Sequence, residues 1–276
     1  MRIAFIGGGH MTTSLVGGLR ARGAAPGDLC ISDPVATQRE RLEFDFGVRT
    51  TPDNAEAVRE AGMVVLAVKP QDMAAAAQSI AAELATRRRI VVSIAAGIRV
   101  ANLLHWLGDE TPVIRTMPNR PALIGAGITA ACAGPGVDHA DRAAVEGVLS
   151  TAGPLVWLDD ESQMDVVTAV SGSGPAYFFL LVEALEDAGV ALGLSRDVAR
   201  QLAAHTALGA GRMVTESSDP PARLREQVTS KGGTTAAALA VLESAGLRDI
   251  FAEAVAAAAR RSAELADQFG ANPERK

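Results

Sequence analysis

RIAFIGGGHMTTSLVGGLRARG, Arg2 to Gly23, decides the fold. A short apolar run, Arg2–Ile6, leads directly into GGGHMT, Gly7 to Thr12, and then into a helical pattern. This is the spacing G-x-G-x-x-[AGT] in a strand–turn–helix setting. Glycine at Gly7 permits a tight turn. Glycine at Gly9 lets the backbone approach a pyrophosphate, and the small Thr12 keeps helix and strand close. A helix that starts here offers its N–H groups and positive dipole end to phosphates. The segment therefore predicts the first βα turn of a dinucleotide-binding sheet. The plain alternative is a glycine-rich turn of structural use only.

The residues that follow keep the same rhythm. Apolar, β-branched runs recur at LCIS (Leu29–Ser32), MVVLAV (Met63–Val68), RIVVSI (Arg89–Ile94), PVIRTM (Pro112–Met117), GITAA (Gly127–Ala131) and PLVWL (Pro154–Leu158). They are nearly continuous in apolarity, as strands buried on both faces are. Helical patterns such as TQRERLEF and DMAAAAQSIAAEL lie between them. The alternation predicts an α/β domain with a Rossmann-type doubly wound, mostly parallel sheet over residues 1–158.

In such a sheet ligands lie off the carboxyl ends of the strands. Asp33 stands at the end of the second run, about 24 residues after Gly9. A carboxylate there accepts hydrogen bonds from a ribose 2′-OH, which favours NAD over NADP. The alternative is a cap for the next helix ahead of Pro34, and Arg39 and Arg41 are near enough in sequence to serve a 2′-phosphate. AVKPQ (Ala67–Gln71) and SIAAG (Ser93–Gly97) follow two other strands, and their small residues leave room for a nicotinamide and its ribose. Lys69 is either an acid or a charged loop residue whose backbone touches the cofactor.

After Asp160 the strand signals stop. Helices are expected at Gln163–Val170, Pro175–Leu192, Arg196–Ser217, Ala222–Thr229, Thr234–Ser244 and Arg248–Phe269, with SSDPPA (Ser217–Ala222) as a turn. This gives an all-α domain over residues 159–276. The segment SGSGPAYFFLLVEALEDAGVALGL is apolar on nearly every side and needs cover on nearly every side. So short a tail cannot bury it alone, which points to packing against a second copy of the chain; the alternative is the central helix of a monomeric bundle.

Composition narrows the class. Of 276 residues 48% are hydrophobic but only 4% aromatic, so aliphatic side chains must fill the core. A net charge of −6 argues against a nucleic-acid binder, which would show a basic face. Cys30 and Cys132 lie far apart, without metal or redox spacing. No targeting segment and no membrane span are expected, and the reading is a cytoplasmic protein in a reducing compartment.

VTSKGGTTAAALAVL, Val228 to Leu242, places two glycines and two threonines before an alanine-rich helix. The N–H groups of Gly232 to Thr235 at such a start suit a carboxylate, and the threonine hydroxyls add donors. Read alone, the stretch is equally an ordinary helix start.

Taken together, GGGHMT, TPDNAEAV, AVKPQ, VVSIAAG, RTMPNRPA, AVSGSGPAYFF and TSKGGTT resemble, in order and spacing, the pyrroline-5-carboxylate reductases. The resemblance runs from Arg2 to about Leu265. It implies reduction of 1-pyrroline-5-carboxylate to L-proline with NADP(H) or NAD(H), the last step of proline biosynthesis. It also implies a helical domain that interlocks with a partner, as a homodimer that in this family often assembles further into rings of five dimers. Carried over by position, it marks Gly7, Gly8, Gly9, His10, Met11, Thr12, Asn54, Ala67, Val68, Lys69, Pro70, Ala95, Ala96 and Gly97 as cofactor contacts. Glu161, Gly233, Thr234 and Thr235 mark the substrate end, with Ser230 and Gly232 beside them, and Thr235 and Glu161 are the candidate catalytic residues. Glu161 is placed to hold the ring nitrogen or a water near it, or else is a plain acid at a helix start. Three residues depart from the family pattern: His10 stands for asparagine, Arg120 for threonine and Lys231 for proline. Asp33 stands where many members have a small polar residue, which weakens the expectation of NADP.

The chemistry fits the inventory. A protonated cyclic imine is already a good electron acceptor, so the protein must hold the ring and exclude water while the cofactor supplies the redox chemistry. No histidine–carboxylate pair is evident around His105, His139 or His205. A β-hydroxyacid dehydrogenase has the same layout but needs a lysine one helical turn after its glycine pair, and AYFFLLVEAL supplies none. A reductase of another cyclic imine and a non-catalytic NAD(P)-sensing protein are the remaining readings. No metal site is expected.

Overall fold

In the computed structural model, which describes residues 1–270, the opening segment forms β1 (Ile3–Ile6) and α1 (His10–Ala21). There follow β2 (Leu29–Ser32), α2 (Ala36–Phe46), β3 (Arg49–Thr51), α3 (Asn54–Val58), β4 (Met63–Leu66), α4 (Met73–Leu84), β5 (Ile90–Ser93), α5 (Val100–Leu107), β6 (Val113–Pro118), β7 (Thr129–Ala133), α6 (His139–Leu149) and β8 (Leu155–Leu158). The strands make one eight-stranded sheet in the order β3-β2-β1-β4-β5-β6-β7-β8. Every pairing is parallel except β6 with β7. The order reverses between β1 and β4, which is the switch point where such sheets bind ligands.

Side-chain alternation sorts the core onto two faces. Ile3, Phe5, Met63, Val65, Ile90 and Val92 pack with Leu15, Val16 and Leu19 of α1 and with Val145, Val148 and Leu149 of α6. Ala4, Ile6, Val64, Leu66 and Val91 pack on the other face with Val58, Met73, Ile80, Leu103 and Trp106. Both sets are mostly aliphatic, with Phe5 and Trp106 the aromatic members named, and almost fully buried. That is why the strands read as unbroken apolar runs, and the doubly wound α/β expectation is met.

Two features were not foreseen. The edge strand β3 is three residues, RTT, with Arg49 exposed; a polar edge carries no apolar signal. The second is a change of helical register. Glu161–Ala191 is one continuous helical run, made of a 3-10 turn at Glu161–Gln163, α7 (Met164–Val167), a π turn at Thr168–Gly172 and α8 (Gly174–Ala191). Ser171 Oγ donates to Val167 O at 3.0 Å, and Asn119 Nδ2 donates to Ser171 O at 3.2 Å. Side chains competing for the helix ladder widen it locally. The expected helix Gln163–Val170 is thus the first part of a longer element.

The chain divides into two compact units, one comprising Met1–Gly172 with the chain from Ala258 onward, the other Ser173–Ala257. The second contains α8, α9 (Arg196–Glu216), α10 (Pro221–Gln227), α11 (Thr234–Ser244) and the start of α12 (Leu247–Gly270). The last residues of the expected range 159–276 lie outside the described residues. Helix boundaries follow ordinary signals: Ser195 Oγ accepts from Val198 N to start α9, and Pro220–Pro221 starts α10. Within this unit only Gly174, Ala199 and Ala203 are buried. Phe178, Phe179 and Leu180 are 67%, 64% and 66% exposed on α8. By length and composition alone the run Glu161–Ala191 is also apolar enough to cross a membrane.

Candidate active site

The register brings three predicted loops side by side. Ile6 of β1 pairs with Leu66 of β4, and Leu66 pairs with Ser93 of β5. The segments after these strands, Gly7–Thr12, Ala67–Pro70 and Ile94–Gly97, therefore leave the same edge of the sheet. Gly7 has φ +102°, and a Cβ there would lie 2.8 Å from Ala67 O, so the first two loops touch through backbone. Gly7 N donates to Ser32 O at 2.8 Å, and Thr12 Oγ1 donates back to Gly7 O at 2.5 Å. Thr12 is fully buried between helix and strand, the place the motif assigns to a small residue.

The mouth of α1 is open. Gly9 is its N-cap and makes no side-chain cap bond. A Cβ at Gly9 would meet nothing within 4 Å. Thr13 N is the first to bond back, to Gly9 O at 3.0 Å, so the N–H groups of exposed His10, half-buried Met11 and buried Thr12 have no carbonyl partner among the described residues. This cradle fits a dinucleotide pyrophosphate, which Gly7–Thr12 would hold.

Around it stand the other candidates. Asp33 Oδ2 accepts from Gly8 N and Oδ1 from Val35 N, both at 2.8 Å. Asn54, at the start of α3, donates to Ser79 Oγ at 3.0 Å and accepts from Ser32 Oγ. Ala67 and Val68 are half-buried, and Lys69 is exposed with no ion pair among the described residues. Ala95 and Gly97 are buried and Ala96 is half-buried.

Glu161 is held at this end of the sheet by residues that the apolar-run reading passed over. Its Oε1 accepts from Val100 N at 2.8 Å and from Arg115 Nη1 at 2.8 Å. Arg115, on β6, is buried; Val100 is the first residue of α5. The loop between β5 and α5 is fixed on its other side by α12. A Cβ at Gly97 (φ +74°) would come within 3.2 Å of Phe269 Cδ2, and Arg99 pairs with Asp267 at 2.7 Å. Ser262 Oγ donates to Asp165 Oδ1 at 2.7 Å, tying α12 to α7. The charge in PVIRTM was the one signal in the sequence that a partner for a buried cation was needed.

The remaining candidates lie in the second unit. Gly233 is the N-cap of α11 and, like Gly9, makes no side-chain cap bond. Gly233 N donates to Ser230 O at 3.0 Å. A Cβ at Gly233 would lie 2.4 Å from Ser230 Oγ, so a side chain there would have to displace that hydroxyl. Gly232 has φ +72°, the left-handed region that glycine enters freely. Ala237 N is the first to bond back, to Gly233 O. The N–H groups of Thr234, Thr235 and Ala236 are therefore uncommitted, and neither threonine hydroxyl has a partner among the described residues. Lys231 and Arg120 are exposed and make no ion pair among the described residues. No cluster of three or more His, Cys, Asp or Glu residues suited to a metal occurs among the described residues.

A switch-point cradle of this kind defines a dinucleotide-dependent oxidoreductase of the Rossmann type. Residues 2–97 match the family model described as NADP oxidoreductase, coenzyme F420-dependent, and residues 161–265 match pyrroline-5-carboxylate reductase dimerisation. The pyrroline-5-carboxylate reductase of Pseudomonas aeruginosa is 49% identical over 269 residues, covering 98% of each chain. The solved structure of that reductase from Coxiella burnetii superposes with TM-score 0.93 at 38% identity, covering 96% of this chain and 98% of the other. The Plasmodium falciparum enzyme, solved with NADP bound, gives 0.83 at 30% identity over the same shares. The chain belongs to the pyrroline-5-carboxylate reductase family.

Proposed function

We propose that this protein reduces the C=N bond of 1-pyrroline-5-carboxylate to give L-proline, using NADPH or NADH. Gly7–Thr12, Ala67–Pro70 and Ala95–Gly97, at the carboxyl ends of β1, β4 and β5, would hold a reduced nicotinamide dinucleotide, which when bound would supply a hydride to the imine carbon. The imine nitrogen enters already protonated, so the protein needs no acid–base pair. What remains for the chain is to hold a small ring acid and keep water out.

The observation that carries this reading is the start of α11. Three backbone N–H groups and two threonine hydroxyls lie there without partners among the described residues, over glycines that leave no side chain in the way. Each charge-assisted bond to a carboxylate contributes about 1.5–3 kcal/mol, and two or three fix a small acid. Gly232, Gly233, Thr234 and Thr235, with Ser230 beside them, are the proposed substrate contacts, and Thr235 the catalytic residue that touches substrate. Glu161, through its second oxygen, is proposed to hold the ring nitrogen or a water near it. Gly7–Thr12, Asn54, Ala67–Pro70 and Ala95–Gly97 are the proposed cofactor contacts. Against a hydroxyacid dehydrogenase, α8 carries no lysine or arginine to remove an alcohol proton.

The exposed apolar face of α8, with the family's dimerisation segment spanning it, supports a homodimer in which a second copy covers Phe178, Phe179 and Leu180. Rings of five such dimers are the proposed larger assembly. Two unpaired cysteines, Cys30 and Cys132, suit a reducing cytoplasm.

Purified protein mixed with 1-pyrroline-5-carboxylate and either cofactor tests the activity through loss of nicotinamide absorbance. The same assay with the six-membered homologue tests ring size. Light scattering after size exclusion tests the assembly. Oxidation of neither cofactor by either imine rejects the enzymatic reading in favour of a nucleotide sensor.

A further inference from the structure

Asp33 occupies the position from which a Rossmann-type sheet contacts the adenosine ribose of its ligand. A carboxylate that selects NAD faces the ribose 2′-OH. In this chain both oxygens are drawn onto the protein's own backbone, Oδ2 to Gly8 N–H and Oδ1 to Val35 N–H, each at 2.8 Å. The contact with the glycine loop is close: a Cβ at Gly8 would fall 3.2 Å from Asp33 Oδ2. Gln38 strengthens the same junction by donating from Nε2 to Gly8 O at 3.2 Å. Two N–H dipoles aimed at the carboxylate offset part of its field toward solvent.

A cation stands at the same strand end. Arg39, half-buried on α2, donates from Nη1 to Asp33 O at 2.7 Å and to Pro34 O at 3.1 Å. These are neutral acceptors, so its charge is not cancelled, and it makes no ion pair among the described residues. Its Nε and Nη2 have no partner among the described residues. Arg41 is directed elsewhere, its Nε pairing with Asp45 at 3.4 Å on the exposed face of α2. Of the two arginines that the sequence offers, only Arg39 is fixed beside the ribose position with donors to spare. A guanidinium with free donors is the preferred protein group for a phosphate.

We propose that Arg39 anchors the 2′-phosphate of NADPH, and that Asp33 braces the glycine loop instead of selecting a ribose 2′-OH. The proposal rests on the dinucleotide-binding reading of this site. It makes NADPH an accepted cofactor despite an acid at the position associated with NAD.

Dissociation constants for NADPH and NADH, measured by nicotinamide fluorescence without substrate, test it on five proteins. Wild type binds NADPH at least as tightly as NADH. Arg39→Ala weakens NADPH by at least about tenfold and NADH by no more than about threefold, the loss of one or two charge-assisted bonds. Arg41→Ala leaves both constants within about twofold, as an exposed helix pair contributes little. Asp33→Asn weakens both cofactors together, because the loop loses a brace they share. Thermal melts report whether each variant is folded, and Arg39→Lys, which keeps the charge and loses the fork, falls between wild type and Arg39→Ala. The proposal is overturned if Asp33→Asn weakens NADH alone while improving NADPH, or if Arg39→Ala affects the two cofactors equally. Failure of wild type to bind either cofactor overturns the dinucleotide reading itself.

Discussion

Glu161 Oε1 lies 2.8 Å from Arg115 Nη1 and 2.8 Å from Val100 N, so one carboxylate oxygen joins the centre of the sheet, the start of α5 and the first turn of the tail. The two partners are unequally buried, with side chains 5% and 29% exposed for Arg115 and Glu161. Removing the acid strands a buried guanidinium, whereas removing the arginine leaves a carboxylate that water and Val100 N still reach. We expect Glu161→Leu to cost about 3–5 kcal/mol. Arg115→Met should cost less, and Glu161→Gln, which keeps an acceptor for both donors, about 1 kcal/mol. Denaturant unfolding of the three variants checks the ranking; an Arg115→Met loss equal to or above that of Glu161→Leu contradicts the asymmetry.

That contact also shows what a sequence conceals. The strands from Ile3, Leu29, Met63 and Ile90 were legible because both sheet faces are covered, which forces continuous apolarity. The glycine loops were legible because a turn against Ala67 O and an open helix mouth admit few other residues. Glu161 was marked for the substrate end by resemblance and otherwise read as an acid at a helix start; its ion pair stayed hidden, since its partner Arg115 is 46 positions away and looked like an interruption in PVIRTM. The brace from Phe269 and Asp267 onto the loop at Gly97 and Arg99 is equally remote in sequence. Asp33 was visible as a residue, but the direction of its carboxylate is a matter of rotamer and neighbour, which spacing does not encode.

Gly7 and Gly9 serve different ends and should fail differently. At Gly7 an added methyl meets a positive φ and Ala67 O at 2.8 Å, costs that sum to about 2–4 kcal/mol. At Gly9, φ is −70° and the space is open, so the fold tolerates alanine. The methyl then occupies the cradle itself. We expect Gly7→Ala to melt well below wild type. Gly9→Ala should melt near wild type yet bind NADPH at least about tenfold more weakly, through loss of charge-assisted bonds. Paired melting and fluorescence titrations decide it, and normal cofactor affinity in Gly9→Ala removes the pyrophosphate from that position.

Acid sensitivity has a definite source in Asp141. Arg88 grips its carboxylate, with Nη1 3.0 Å from Oδ1, and the capping box at the start of α6 adds a bond from Asp138 N at 3.1 Å. The hydrogen bond from Arg88 is the main reason its carboxyl is held below the usual range, against a smaller opposing effect of burial. The folded protein therefore binds this proton less readily than the unfolded chain does. The resulting stabilisation is complete above the unfolded pKa of about 3.9 and is lost as pH falls through the lower folded value. Because Arg88 is half-exposed, screening keeps the effect modest. Asp141→Asn should cost about 1 kcal/mol at neutral pH and flatten stability below about pH 4. Urea midpoints across that range for both proteins give the difference directly, and parallel acid limbs exclude Asp141 as the cause.

Thr235 offers the sharpest test of the substrate end. It stands in the first turn of α11, half-buried, its hydroxyl without a partner among the described residues. A ring carboxylate at that helix start would receive both its N–H and its hydroxyl. Thr235→Ala keeps the N–H and loses one donor to an anion, so KM for 1-pyrroline-5-carboxylate should rise about tenfold or more. The dissociation constant of NADPH should stay within about twofold, since no cofactor loop is touched. Thr235→Ser restores the donor and should recover most of the affinity, which separates a hydroxyl bond from a packing defect. Initial rates with both ligands varied, beside a direct cofactor titration, provide the readout. An unchanged KM in Thr235→Ala, or a cofactor constant that moves with it, would place the carboxylate somewhere other than the mouth of this helix.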